Sequence, residues 1–142
     1  MIFELIATVC AAIFAGAAVY INLVEHPARM SLGNGPALAE WAPSYHRATI
    51  MQAPLALIGA LTGVLAWIAG GGAAWLAGGL LLGSVIPVTL LVIFPTNREL
   101  LDPATAGNPD RAGVLLGRWN RLHAVRSVLS TLALLLFLAQ LA

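Results

Sequence analysis

Four stretches of nearly uncharged, apolar sequence constrain this chain more than any other feature. A helix rises about 1.5 Å per residue, so about twenty such residues span a hydrocarbon layer some 30 Å thick. The stretches predict spans at approximately 2–23, 49–69, 75–94 and 123–142. The last is free of charge only from Ser127 onward, so its helix is expected to begin before His123. Charge is too scarce for the alternative of a soluble domain. Charged residues make up 9% and apolar residues 60% of the chain, against about 25% and roughly 45–50% in soluble domains. The expected class is all-α, an integral membrane four-helix bundle forming a single transmembrane domain over 1–142. The first stretch carries Glu4 where a signal peptide has basic residues, and no small-residue cleavage site follows it, so it reads as a retained span.

The second and third spans are joined by Gly70, Gly71, Gly72, Ala73 and Ala74, which predicts a tight helical hairpin. Trp67 and Trp75 mark its closed end, and Trp41 and Trp119 are expected near the opposite headgroup layer. Pro54 and Pro87 should bend their helices. Ala11, Ala15, Ala18, Gly59, Gly63, Gly79 and Gly83 fall at helical spacing. Small residues let helices approach closely in lipid, either inside the bundle or against a second copy or another membrane protein.

Orientation follows from arginine. The chain has no lysine, and its seven arginines all lie in the two long connections or at the entrance to the fourth span. The positive-inside rule puts those connections in the cytoplasm and both termini on the non-cytoplasmic side, in a multi-pass protein of the cytoplasmic (inner) membrane. A net charge of +1 and the lack of a long basic stripe exclude nucleic acid as a partner. The lone Cys10 excludes an internal disulfide.

The candidate chemistry lies at the four cytoplasmic helix ends. They carry Asn22, Glu25, His26 and Arg29; Tyr45, His46 and Gln52; Asn97 and Arg98; and Trp119, His123 and Arg126. Polar groups at membrane depth usually face a bundle interior. Trp119, His123, Arg126 and Ser130 recur at intervals of four, three and four, which places them on one helical stripe. Asn22, His26 and Arg29 share a face only if the first helix continues through Pro27, which the proline opposes. The competing readings are structural: arginines such as Arg47, Arg111, Arg118 and Arg121 as lipid anchors, and Glu25 with Arg29 as a local ion pair. The histidines lie on separate segments without ligand-pair spacing, so no metal is expected.

Four blocks carry a family likeness: EHPAR at 25–29, WAPSYHRATIMQ at 41–52, PVTLLVIFPTNR at 87–98 and LLGRWNRLHAVR at 115–126. Together they resemble the anthrone oxygenase-like family of small four-helix membrane proteins, many of them without an assigned function. The pattern carries over onto Glu25, Pro27, Arg29, Pro95, Thr96, Asn97, Arg98, Trp119, His123 and Arg126. The likeness implies a membrane-embedded oxygenase acting on a flat, apolar phenolic or anthrone-like substrate that partitions from membrane lipid. Molecular oxygen would be co-substrate and no protein-bound cofactor is expected. His123 is the expected base. Arg126 or Arg98 would hold the resulting oxyanion, and Asn97 and Trp119 would orient the ring. Asn22, Glu25, His26, Arg29, Tyr45, His46 and Gln52, by their place at the polar helix ends, are expected around the substrate; the likeness itself assigns His26 and His46 no role. The alternative is a non-catalytic accessory protein or a quinone- or lipid-binding module.

Overall fold

The computed structural model describes residues 1–141; residue 142, the end of the expected fourth span, lies outside them. Among the described residues four helices are long and apolar enough to cross a membrane: α1 (Ile2–Met30), α2 (Asn34–Ile68), α3 (Ala73–Leu101) and α4 (Pro109–Leu141). They form a multi-span membrane helical bundle. Each of α1 and α3 packs between α2 and α4, and α2 also touches α4 across the centre.

The helices outrun the apolar stretches. The two connections expected to be long are mostly helix: α1 and α2 are separated by 31–33, where Gly33 takes a φ of 92°. Hydropathy reports where charge begins, whereas a helical backbone continues as long as its hydrogen bonds do.

Pro27 does not end α1. The turn Ile21–Glu25 is widened into π geometry, with the His26 amide bonding to the Ile21 carbonyl five residues back. A proline ring clashes with the carbonyl four residues before it, here that of Leu23, and the wider turn relieves that clash. The same device recurs in α3, where Thr89–Ile93 is widened and the Phe94 amide reaches the Thr89 carbonyl just before Pro95. Such bulges are frequent at functional sites, and Asn22 lies within the first.

The hairpin between α2 and α3 closes at Gly70, whose φ of 97° is open to glycine at little cost. The Gly71 amide then caps the Ala66 carbonyl at 3.0 Å. Glycine is also needed where the two helices cross. A Cβ at Gly63 would lie 3.0 Å from Gly79 Cα and 3.1 Å from the Trp75 carbonyl oxygen. Gly59, Gly63 and Gly79 are thus occupied by packing within the chain, as are the buried Ala11, Ala15 and Ala18.

Two apolar clusters fill the bundle. One, built on Phe14, Trp75, Leu82 and Phe137, occupies the half towards the hairpin. The other is built on Trp41, Ile93, Leu100, Leu116 and Trp119. Trp41 and Trp119 are buried between helices. The polar residues lie between the clusters.

Candidate functional site

His123 stands at the centre of this polar layer and is only 2% exposed. It precedes the end of α4 by eighteen residues, about 27 Å along the axis, close to the thickness of a hydrocarbon core. Its Nδ1 lies 2.9 Å from Asn22 Oδ1. The Asn22 amide is itself oriented by Asn120: Asn22 Nδ2 donates to the Asn120 backbone carbonyl at 2.9 Å and to its side-chain oxygen at 2.7 Å. A carbonyl can only accept, so the nitrogen of Asn22 must face Asn120 and its oxygen must face His123. Ser127 donates to that same oxygen at 2.6 Å. Nδ1 of His123 must then carry the proton, which leaves the lone pair of the neutral ring on Nε2.

Aromatic rings hold the imidazole from the other side. Trp119 lies 4.8 Å from His123 and 5.8 Å from His26, centroid to centroid. Trp41 meets Trp119 edge-on at 5.7 Å and stacks on Tyr45 at 4.9 Å.

One helical turn further along α4, Arg126 donates to Gln52 Oε1 at 2.6 Å, and its guanidinium carbon lies 5.2 Å above the Phe14 ring. Among the described residues Arg126 pairs with no carboxylate. Arg29 is the opposite case. It is buried and held by Glu25 of its own helix and by Glu40 of α2, at 2.5 Å to the latter, with Ser44 hydrogen-bonded to Glu25. The two arginines thus differ in kind: Arg29 is neutralised, and Arg126 presents its charge to the bundle interior.

Three cavities meet at Gln52. The one against His123 and Arg126, closed by Tyr45, Ser44 and Trp119, has about 10 Å³, room for a single water. A second, of about 130 Å³, runs between α2 and α3 from Leu90 and Ile86 to Arg126 and Gln52. The third is an open groove of about 530 Å³ between α1 and α2, with Glu25, Glu40 and Arg47 on its rim.

The structure gathers Asn22, His26, Arg29, Tyr45, Gln52, Trp119, His123 and Arg126 into one layer. Others lie at the surface. Arg98 is exposed beside Glu99 and Asp102, and His46 is exposed on α2. Asn97 is buried but lies outside the lining of the His123 cavity. Four contributors went unsingled in the sequence: Glu40, Ser44, Asn120 and Ser127. Only Ser127 carried a usable signal, as the residue one position past Arg126 at the start of the uncharged run.

A family model described as anthrone oxygenase matches residues 41–136, which include α2 from Trp41 onward, all of α3 and most of α4. The chain belongs to the anthrone oxygenase family. Neither the curated proteins nor the solved structures include a match to it. The family match takes in Gln52, Trp119, His123 and Arg126. The anchoring residues of α1, Asn22 and Arg29 among them, precede the matched region.

Proposed function

We propose that this protein is a membrane oxygenase for a flat, apolar phenolic or anthrone-type substrate, with His123 as base and Arg126 as oxyanion partner. The observation that carries the reading is the pairing of a fixed imidazole, its lone pair on Nε2, with an adjacent arginine that meets no carboxylate among the described residues. In this reading His123 takes a proton from the carbon to be oxidised. The negative charge moves onto the substrate oxygen, where Arg126 stabilises it. The carbanion carbon then forms a bond to molecular oxygen and the peroxide is protonated. Loss of the remaining C–H proton with departure of hydroxide leaves a ketone and one water per dioxygen consumed. Trp119 orients the ring. Because the cavity against His123 has room for no more than one water, the substrate edge enters it by moving Tyr45 or Trp119. Asn97 and Arg98 are given no direct role.

The seven arginines at the polar end support an orientation with that end in the cytoplasm and both termini outside, in the inner membrane. Labelling of an Arg98→Cys variant from the cytoplasmic side alone checks it.

The deciding experiment is oxygen uptake and anthraquinone formation from anthrone by the protein in lipid nanodiscs, against empty nanodiscs. The wild type should exceed background and His123→Ala should return to it. Wild-type turnover by that variant would remove His123 from the mechanism. The open groove of about 530 Å³ favours one second reading, a lipid- or quinone-binding module. Saturable binding without any oxygen uptake would select it.

A further inference from the structure

Gln52 is 1% exposed, and its Nε2 is buried without a partner among the described residues. The orientation of its amide is not free. Arg126 can only donate, so the group 2.6 Å from its Nη2 must be the glutamine oxygen, and the unpartnered group must be the NH₂. Arg126 repeats the pattern: Nη2 is engaged, and Nε is buried without a partner. Two hydrogen-bonded side chains thus leave two buried donors unmet, and a buried unmet donor costs about 1–3 kcal/mol.

Both side chains border two cavities. The one shared with His123 holds no more than a water. The other, between α2 and α3, has about 130 Å³ and is walled by Phe14, Ala53, Ala56, Val85, Ile86 and Leu90. Its two threonines spend their hydroxyl hydrogens within their own helices, Thr49 on the Tyr45 carbonyl at 2.9 Å and Thr89 on the Val85 carbonyl at 2.6 Å. A dry apolar cavity of about 150 Å³ accepts benzene. The space between α2 and α3 is therefore close to the size of one ring, apolar along its walls, and bordered at one end by Gln52 and Arg126.

We infer that this cavity is a binding site for a single planar ring bearing an oxyanion, the ring entering between α2 and α3 and its oxygen accepting from Gln52 Nε2 and Arg126 Nε. This deepens the oxygenase reading by naming what the oxygen end of the site takes, and it adds Gln52 as a specificity-determining donor. The occupant is a phenolate or the oxygen-bearing edge ring of a larger aromatic.

The test is binding and does not use turnover. Para-nitrophenolate is titrated into the full chain in nanodiscs, with para-nitrotoluene as the ring without the oxyanion and decanoate as an oxyanion without a ring. Para-nitrophenolate should bind saturably above empty nanodiscs and about tenfold or more tighter than either control, the worth of hydrogen bonds to a charged group. Gln52→Glu keeps an acceptor for Arg126 but replaces the free donor with a carboxylate. It should remain folded by circular dichroism and lose binding by about tenfold or more. Ala53→Leu fills the cavity, leaves the donors intact and should also abolish binding. Equal binding by wild type and both variants, or decanoate competing as well as the phenolate, would overturn the assignment. If anthrone is not turned over while para-nitrophenolate binds as stated, the oxygenase reading falls and the oxyanion site stands.

Discussion

Asn22 and His123 are 101 positions apart in the chain, yet Oδ1 of one lies 2.9 Å from Nδ1 of the other. The contact ties α1 to α4 at the depth where the bundle changes from apolar to polar packing. It also decides which imidazole nitrogen is available, because the Asn120 carbonyl leaves the Asn22 amide one orientation.

Removing that tie should be felt in both stability and chemistry. Asn22→Ala leaves His123, Ser127 and Asn120 short of a partner and should lower stability by about 1–3 kcal/mol, read as reduced resistance to denaturing detergent. Asn22→Asp keeps an acceptor towards His123 but sets an oxygen against the Asn120 carbonyl. It should retain more anthrone turnover than Asn22→Ala.

The two ion-paired arginines should respond differently. Arg29→Ala removes a buried cation from between Glu25 and Glu40. Breaking a fully buried pair costs about 3–5 kcal/mol, less here because both acids are partly exposed. Arg111 meets Glu99 at 3.0 Å on the surface, where such pairs contribute about 0–1 kcal/mol. Detergent unfolding should therefore separate Arg29→Ala clearly from Arg111→Ala; equal effects would mean that the Arg29 cluster is no better organised than a surface pair.

Glycine substitutions should divide by position. Gly63→Ala places a methyl 3.0 Å from Gly79 Cα, against backbone that cannot easily yield, and overpacking of this kind costs about 1–3 kcal/mol. Gly16→Ala meets nothing within 4 Å and should be neutral or slightly stabilising, since alanine is the better helix former. Thermal unfolding followed by circular dichroism distinguishes them.

What was legible in the sequence follows the physics of each signal. Apolar runs marked the four helices because lipid tolerates little charge, and helical period put Trp119, His123, Arg126 and Ser130 on one stripe. The start of α2 at Asn34, fifteen residues before the expected span, was not legible, since its polar turns have no hydropathic mark. Nor was the continuation of α1 through Pro27: a proline reads as a break unless the preceding turn widens, and that widening depends on neighbouring helices. Asn22 could be singled out as polar at depth, but Asn120 and Ser127 could not be assigned to it. Which residues meet across a bundle depends on helix rotation, and a π turn alters rotation without any change in composition. Arg98, just beyond the second widened turn, is exposed.

Proton abstraction by His123 requires the ring to be held inside the bundle with Nε2 free to accept a proton. Nitrogen-15 spectra of histidine-labelled protein in lipid, assigned by comparison with His123→Gln, read this directly. In the neutral ring, hydrogen is expected on Nδ1 and Nε2 should be unprotonated. Hydrogen on Nε2 with Nδ1 bare would contradict this, because the Asn22 amide would then have to be reversed against the Asn120 carbonyl.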